Sequence, residues 1–401
     1  MTDRVVLAYS GGLDTTVAVR WLREERDLDV VAVAVDVGQP SDLEAIAKRA
    51  EGSGAVETIV VDAIEEFASD FIEPALAANV LYQGKYPLVS ALSRPCISRH
   101  LVEAARSTGA RYIAHGCTGK GNDQVRFEVS LGALAPDMEV LAPVRDWGMT
   151  REESISYGLE AGLDVPQAKS SGYSIDENLW GRTIECGALE DPFEEPPSDV
   201  WERTSDPAQA PREPVYLEVG FSHGAPVSLD GAAMGLTQLI KRTEDIAGSF
   251  GFGRVDMIED RVVGIKSREI YEVPAALSLI IAHSDLEELT LDREVLRTKR
   301  QLEVRYAQLV YEGGWFSPLR EAMDAFIATT APQVDGVVRL RYEAGGVRVV
   351  GRKSPHSLYD LGLATYESGD TFDHSSGEGF GRIWGLPLRV WGQKRDGRKD
   401  G

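Results

Sequence analysis

A β-branched run, Val5 to Ala8, passes through SGGLD into Thr15 to Glu24, where apolar residues recur with helical spacing, and the continuous apolar run Val30 to Val35 follows. A strand that is apolar at every position has to be covered on both faces, and strand, helix, strand in that order build parallel pairs joined by a crossover. The chain is therefore constrained to open as a layered α/β fold around a parallel sheet. Further strands are expected at Val56 to Val61, Tyr112 to Ala114 and Met138 to Leu141. Ser41 with Glu44 and Thr150 with Glu153 have capping-box spacing and predict two helix starts, the second helix closing near Gly158 to Gly162.

Around Val165 and Pro166 the alternation stops, and Gly, Ser and Pro carry the chain to the acidic segment DPFEEPPSDV, so a domain boundary is expected near residue 165. Beyond it, Val215 to Phe221, Arg254 to Glu259 and Arg261 to Lys266 read as strands, the last two as a hairpin through Asp260. Leu286 to Tyr311 reads as one helix, and Val337 to Tyr342 and Val347 to Arg352 flank EAGG as a second hairpin. A mixed α+β domain over 166–365 thus follows an α/β domain over 1–165. After Thr365 the chain is rich in Gly, Ser and charge and cannot build a core alone, so 366–401 is a tail or an arm that docks on another subunit.

The 401 residues hold 64 acidic and 42 basic side chains, a net charge of -22, and that field repels polyphosphate backbones. A general nucleic-acid binder is excluded, while a small anion in a local pocket is not. Cys96, Cys117 and Cys186 are odd in number and contain no CxxC pair, which argues against a disulfide framework or a thiolate zinc site, and no metal ligands are assigned. MTDRVVLAYSGG lacks a basic region followed by a long apolar stretch, and the apolar runs fall far short of the roughly 20 residues that span a bilayer. A cytoplasmic protein without membrane partners is expected.

Two loops carry the chemistry. After the first strand, Gly11 and Gly12 permit a tight turn and close backbone approach, and the following helix offers free N–H groups and the positive end of its dipole to an anion. Ser10, Thr15 and Thr16 add hydroxyl donors, and Asp14 is placed to cap the helix or to help hold a metal bound to phosphate. Neither a Walker nor a Rossmann pattern is present. A plain glycine turn is the alternative for the tetrapeptide alone. Strand, SGGLDTT and helix together resemble the pyrophosphate loop of the N-type ATP pyrophosphatases, which split ATP into AMP and pyrophosphate while adenylating a substrate oxygen.

The second loop, HGCTGKGNDQVRFE, also follows a strand and so lies at the carboxyl edge, where open α/β sheets bind ligands. Thr118, Asn122, Asp123 and Arg126 suit an amino-acid zwitterion: Arg126 can grip a carboxylate and Asp123 an ammonium. A polar surface loop with an i, i+3 charge pair is the alternative. Cys117 and His115 lack further ligands at metal spacing, His100 reads as a packing or surface residue, and Arg94 is open between a phosphate contact and a salt-bridged helix residue.

Together SGGLDTT, GKYP, ALSRPCISRH, HGCTGKGNDQVRFE, YSIDENLWGRTIECG, SLDG and GRVDMIEDRVVGIKSREIYEVPA, in this order over almost the whole chain, resemble the argininosuccinate synthase family. The resemblance implies an enzyme of arginine biosynthesis that joins citrulline to aspartate through a citrullyl-adenylate, using ATP and Mg2+ and releasing AMP and pyrophosphate. It also implies a homotetramer tied together partly by its C-terminal segments. Carried over residue by residue, Ala8, Tyr9, Ser10, Gly11, Gly12, Leu13, Asp14, Thr15 and Thr16 hold the ATP phosphates, with Gly116 and the main chain of Val35 beside the nucleoside. Thr118, Asn122 and Asp123 bind aspartate. Tyr86, Asn122, Arg126, Ser174, Thr183, Glu259 and Tyr271 bind citrulline. Asp14, Asp123 and Arg126 are the catalytic candidates, with Asp123 or a ligand phosphate as proton acceptor. Two positions depart from the family pattern: Ala91 lacks a hydroxyl often found there, and Thr183 stands where many members have serine. A tRNA-modifying or ammonia-using relative is the rival within the class, disfavoured by charge and by the lack of a glutaminase segment. A non-catalytic nucleotide-binding module would have no need of Arg126, Glu259 and Tyr271.

Overall fold

The structure, a computed structural model, describes residues 2–165 and 172–396, so the expected break at Pro166 lies outside the described residues. Strands β1 (Arg4–Ala8), β2 (Asp29–Asp36), β3 (Glu57–Asp62), β4 (Tyr112–Ala114) and β5 (Glu139–Leu141) form one all-parallel sheet in the order β3-β2-β1-β4-β5. Alternation along β1 and β2 sends Val5, Leu7, Val30 and Ala32 into one core with Val19 and Leu22 of the helix Leu13–Arg26. Val6, Val31 and Val33 go to the opposite face, with Phe67 and Leu92. Each fully buried Val or Leu contributes about 1.5–3 kcal/mol, which is why continuous apolar runs settle in a sheet covered on both sides.

β1 pairs with β2 on one side and with β4 on the other. The chain thus leaves β1 in one direction and returns on its far side, and the carboxyl ends of β1 and β4 flank the switch point at which such sheets bind ligands.

Downstream lie β6 (Ser174–Asn178), β7 (Gly181–Glu185), β8 (Val215–Ser222), β9 (Ala225–Leu229), β10 (Ala232–Ala233), β11 (Arg254–Asp260), β12 (Lys266–Glu272), β13 (Gly336–Glu343) and β14 (Gly346–Lys353). They make two antiparallel sheets, β11-β12-β7-β6 and β10-β9-β8-β13-β14. The expected parallel α/β region followed by a mixed α+β region is what the chain forms, and the Thr150–Glu153 capping box and the hairpin around EAGG are both present.

Three local expectations are corrected. The strand expected at Arg261 to Lys266 begins only at Lys266: Arg261 to Ile265 form the turn, closed by Arg261 N–H to Ile265 O at 2.9 Å with Gly264 at φ +87°. The helix expected over Leu286 to Tyr311 is two, Pro274–Thr290 and Arg293–Tyr311, because Leu291 is extended and the Asp292 carboxylate takes the N–H groups of Glu294 and Val295 as an N-cap. Asp42, not Ser41, caps the helix Leu43–Ser53, accepting from Ala45 N–H at 3.0 Å; Glu44 then falls one position short of closing a box.

Residues up to His356 form one compact unit and those from Ser357 a second. In the second, Phe380 and Trp384 of the helix Ser375–Trp384 stack one turn apart, yet Tyr366, Ile383, Trp384 and Leu388 are all exposed.

Candidate active site

The loops after β1 and β4 meet. Gly11 has φ +72°, a conformation that favours glycine, and its carbonyl accepts Arg49 Nη1 at 2.9 Å. A Cβ on Gly116 would lie 2.8 Å from the Thr15 methyl, so the two loops are in contact only because position 116 carries no side chain. Ser10 Oγ and Thr15 Oγ1 are 3.2 Å apart. Ala8, Tyr9, Ser10, Gly12, Leu13, Thr15, Val35 and Gly116 all line one cavity of about 940 Å³.

Gly11, Asp14 and Thr16 stand behind that lining. Thr16 is fully buried with its hydroxyl 3.1 Å from Tyr9 OH, and Gly11 is backed by Ile46. Asp14 does not cap: Gly12 occupies the cap position without a side-chain bond, and Asp14 sits in the first turn. Burial raises its carboxyl above the ordinary range, with the charge of Arg151 acting against this.

The opposite wall is one face of the antiparallel sheet. Ser174 and Asp176 of β6, Thr183 and Glu185 of β7, Glu269 and Tyr271 of β12, and Glu259 of β11 line the cavity. The alternate residues Ile184 and Ile270 turn away to pack with Leu189 and Val200, while Ile175 of β6 packs against that cluster and also reaches the cavity. The two-residue period of a strand thus gives β7 and β12 a polar face toward the cavity and an apolar backing behind it.

Thr118, Asn122, Asp123 and Arg126 reach the same cavity. Asn122 Nδ2 donates to Tyr311 OH at 2.7 Å, and its Oδ1 accepts Val262 N–H at 2.9 Å, tying the second loop to the β11–β12 turn. Asp123 Oδ2 accepts from Arg94 Nε at 2.9 Å and Nη2 at 2.6 Å, and Oδ1 accepts from Arg126 Nη1 at 2.8 Å. Burial works against ionisation of Asp123, but the two guanidinium groups outweigh it and hold the carboxyl down to about 2. With both oxygens engaged by guanidinium groups, Asp123 has little capacity left to accept a proton, which favours the ligand phosphate of the two acceptors expected.

Arg126 is 4% exposed. Its Nε donates to Tyr311 O at 3.0 Å and its guanidinium lies 4.8 Å from the Tyr311 ring centre, while Nη2 has no partner. The i, i+3 pair with Asp123 therefore exists and still leaves a buried donor free, a situation costly unless a ligand satisfies it. Glu259 accepts from Tyr271 OH and Tyr311 OH, each at 2.5 Å, and burial raises its carboxyl. Tyr86 stacks on Tyr271 at 4.0 Å and takes Ser90 N–H on its hydroxyl.

Sequence reading missed Tyr311, Ser90, Arg261, Glu185 and Glu269. Glu185 shares a face of β7 with Thr183 and Glu269 a face of β12 with Tyr271, so the strand period points to the first directly and to the second once the start of β12 is known. Arg94 resolves as a salt-bridged residue, clamped by Asp123 and, at 2.7 Å, by Asp176. At position 91 the alanine is buried; the neighbouring Ser90 lines the cavity instead, its hydroxyl 3.3 Å from that of Thr183. His115 is buried and held neutral by desolvation, and burial pushes the Cys117 thiol up, so neither is an activated group.

The profile described as arginosuccinate synthase N-terminal HUP domain matches residues 4–164, and the one described as arginosuccinate synthase C-terminal domain matches 173–391. The argininosuccinate synthase of Gloeobacter violaceus is 55% identical over 393 residues, covering 98% of this chain and 99% of that protein. That of Rubrobacter xylanophilus is 55% identical over 388 residues (97% and 95%), and that of Brevibacillus brevis 52% over 395 (98% and 94%). On two matched profiles and near full-length identity to its relatives, the chain belongs to the argininosuccinate synthase family.

Proposed function

We propose that this cavity joins citrulline to aspartate at the expense of ATP, through a citrullyl-adenylate, making argininosuccinate, AMP and pyrophosphate. The observation that carries the reading is the meeting of the glycine corner after β1 and the polar loop after β4, Thr15 against Gly116, in one cavity faced by polar residues of a sheet. Its volume, about 940 Å³, is at the upper end for small-molecule sites and suits more than one ligand.

The ureido carbon of citrulline is a poor electrophile because nitrogen lone pairs delocalise into it. Attack of its oxygen on the α-phosphorus of ATP expels pyrophosphate and turns that oxygen into part of a leaving group; the aspartate amine then displaces AMP. The chain contributes positioning and fixed charge. Ser10, Thr15 and the free amides at the start of the helix Leu13–Arg26 receive the phosphates. The unpartnered Nη2 of Arg126 receives a substrate carboxylate, and the Ser90–Thr183 hydroxyl pair with Tyr86 and Glu259 orients citrulline. With Asp123 clamped by two arginines, the amine proton passes to a phosphate oxygen of the departing AMP. ATP would enter as its Mg2+ complex; the Ser10 and Thr15 hydroxyls on the cavity wall would offer that ion hard oxygen donors, and the ion would offset phosphate charge.

We assign to residues 357–396 the docking of subunits into a homotetramer, on the strength of their exposed aromatic and aliphatic side chains. Three free cysteines fit a reducing, cytoplasmic setting, and no helix among the described residues is long and apolar enough to cross a membrane. The test is pyrophosphate release that requires ATP, citrulline and aspartate together; release independent of either amino acid contradicts the reading.

A further inference from the structure

The helix Val89–Thr108 carries Cys96 and His100 one turn apart, and Glu66, at the end of the short helix Ile64–Glu66, faces both. A sulfur, an imidazole nitrogen and a carboxylate oxygen lie within 4.8 Å of one another, the one such trio among the described residues. Cys96 is fully buried and the His100 side chain is 11% exposed. His100 Nε2 stands 3.0 Å from Glu66 Oε2 yet makes no hydrogen bond and is sealed from water. Here a buried ring nitrogen without a hydrogen-bond partner stands beside both a carboxylate and a thiol, the donor types that a soft divalent cation takes together.

The surroundings match what metal-binding histidines require. His100 Nδ1 lies 3.3 Å from Glu103 Oε2, so a carboxylate stands beside the second ring nitrogen, as it commonly does behind metal-binding histidines. Glu66 Oε1 accepts Arg99 Nη1 at 2.7 Å, which leaves Oε2 for a cation. Arg99 is balanced in turn by Asp70 at 2.8 Å. Spacing alone did not reveal the trio, because its third member lies 30 residues upstream of Cys96.

We propose that Cys96, His100 and Glu66 form a three-residue site for a zinc-class divalent cation, separate from the active-site cavity. Thiolate, imidazole and carboxylate together suit Zn2+ rather than Mg2+ or Ca2+. On binding, the Cys96 S–H bond breaks, its proton goes to solvent, and a metal–sulfur bond forms; thiolate and carboxylate then neutralise the ion. The ion clips the helix that carries Ser90 and Arg94 to the segment at Glu66, so its consequence is rigidity behind the cavity wall.

The test uses the full-length protein stripped of metal and titrated with Co2+ as a spectroscopic stand-in. The expected result is one ion per chain with a near-ultraviolet thiolate-to-cobalt band, displaced by Zn2+. The band is lost in Cys96→Ser, Cys96→Ala and His100→Gln and kept in Cys117→Ser and Cys186→Ser. Zn2+ should raise the Tm of the wild type and not of Cys96→Ala. Absence of the band in the wild type, or its persistence in both Cys96 variants, overturns the site. Neither outcome bears on citrulline-dependent pyrophosphate release, so failure here and failure of the proposed function are distinguishable.

Discussion

Thr15 and Gly116 touch across the gap between two parallel strands: the Thr15 methyl lies 2.8 Å from the point a Cβ on Gly116 would occupy. Residue 15 lies in the first turn of the helix after β1 and residue 116 follows β4, so one missing side chain lets the two loops share a cavity.

Gly116→Val is expected to force these loops apart. Overpacking of this kind costs about 1–3 kcal/mol, and where the cost falls on nucleotide binding the KM for ATP rises roughly tenfold. Steady-state kinetics with each substrate varied will show it. An unchanged KM for ATP in a folded variant removes the contact from the account.

Arg126→Leu should weaken citrulline far more than ATP, since removing a desolvated guanidinium from a carboxylate costs about 2–5 kcal/mol. Arg126→Lys should recover only part of this, because the lysine cannot keep both the Asp123 and the Tyr311 bonds while reaching a ligand. Equal losses for citrulline and ATP count against a citrulline contact.

Glu269 sets a pH dependence of stability. Burial pushes its carboxyl up to about 7, with the charges of Glu185 and Glu259 adding to the effect. A carboxyl raised in the folded state above its unfolded value of 4.5 makes its full contribution below pH 4.5, and this is lost as the pH rises through 7. Relative to Glu269→Gln, the wild type should lose about 3 kcal/mol between pH 4.5 and 8. Urea denaturation at a series of pH values measures this, and parallel curves for the two proteins contradict it.

Removal of residues 357–401 should lower the oligomeric state, because the segment exposes Tyr366, Phe380, Ile383, Trp384 and Leu388 and has no core of its own. Light scattering gives the answer. A truncated protein with the full-length number of subunits assigns assembly to some other surface.

What was legible in the sequence was local. The parallel sheet showed in Val5 to Ala8 and Val30 to Val35 because burial on both faces leaves an uninterrupted apolar run, and the SGGLDTT corner showed because paired glycines before a helix have few other uses. Register was harder. Arg261 to Lys266 has as much β character as the strand that follows, and only the turn at Gly264 decides where β12 begins; Glu269 was lost with it. The break at Leu291 was hidden because good helix formers continue through it and one side chain, Asp292, makes the new start. The Arg94 clamp joins partners 29 and 82 residues away, a relation that no spacing rule along one segment detects.

The central claim is that this cavity adenylates the ureido oxygen of citrulline, and the fate of that atom tests it most directly. With citrulline labelled with ¹⁸O at the ureido position, turnover with ATP and aspartate should place the label in AMP and leave pyrophosphate unlabelled by mass spectrometry. Label in pyrophosphate or inorganic phosphate, or retained in the amino-acid product, contradicts the citrullyl-adenylate even where argininosuccinate is formed.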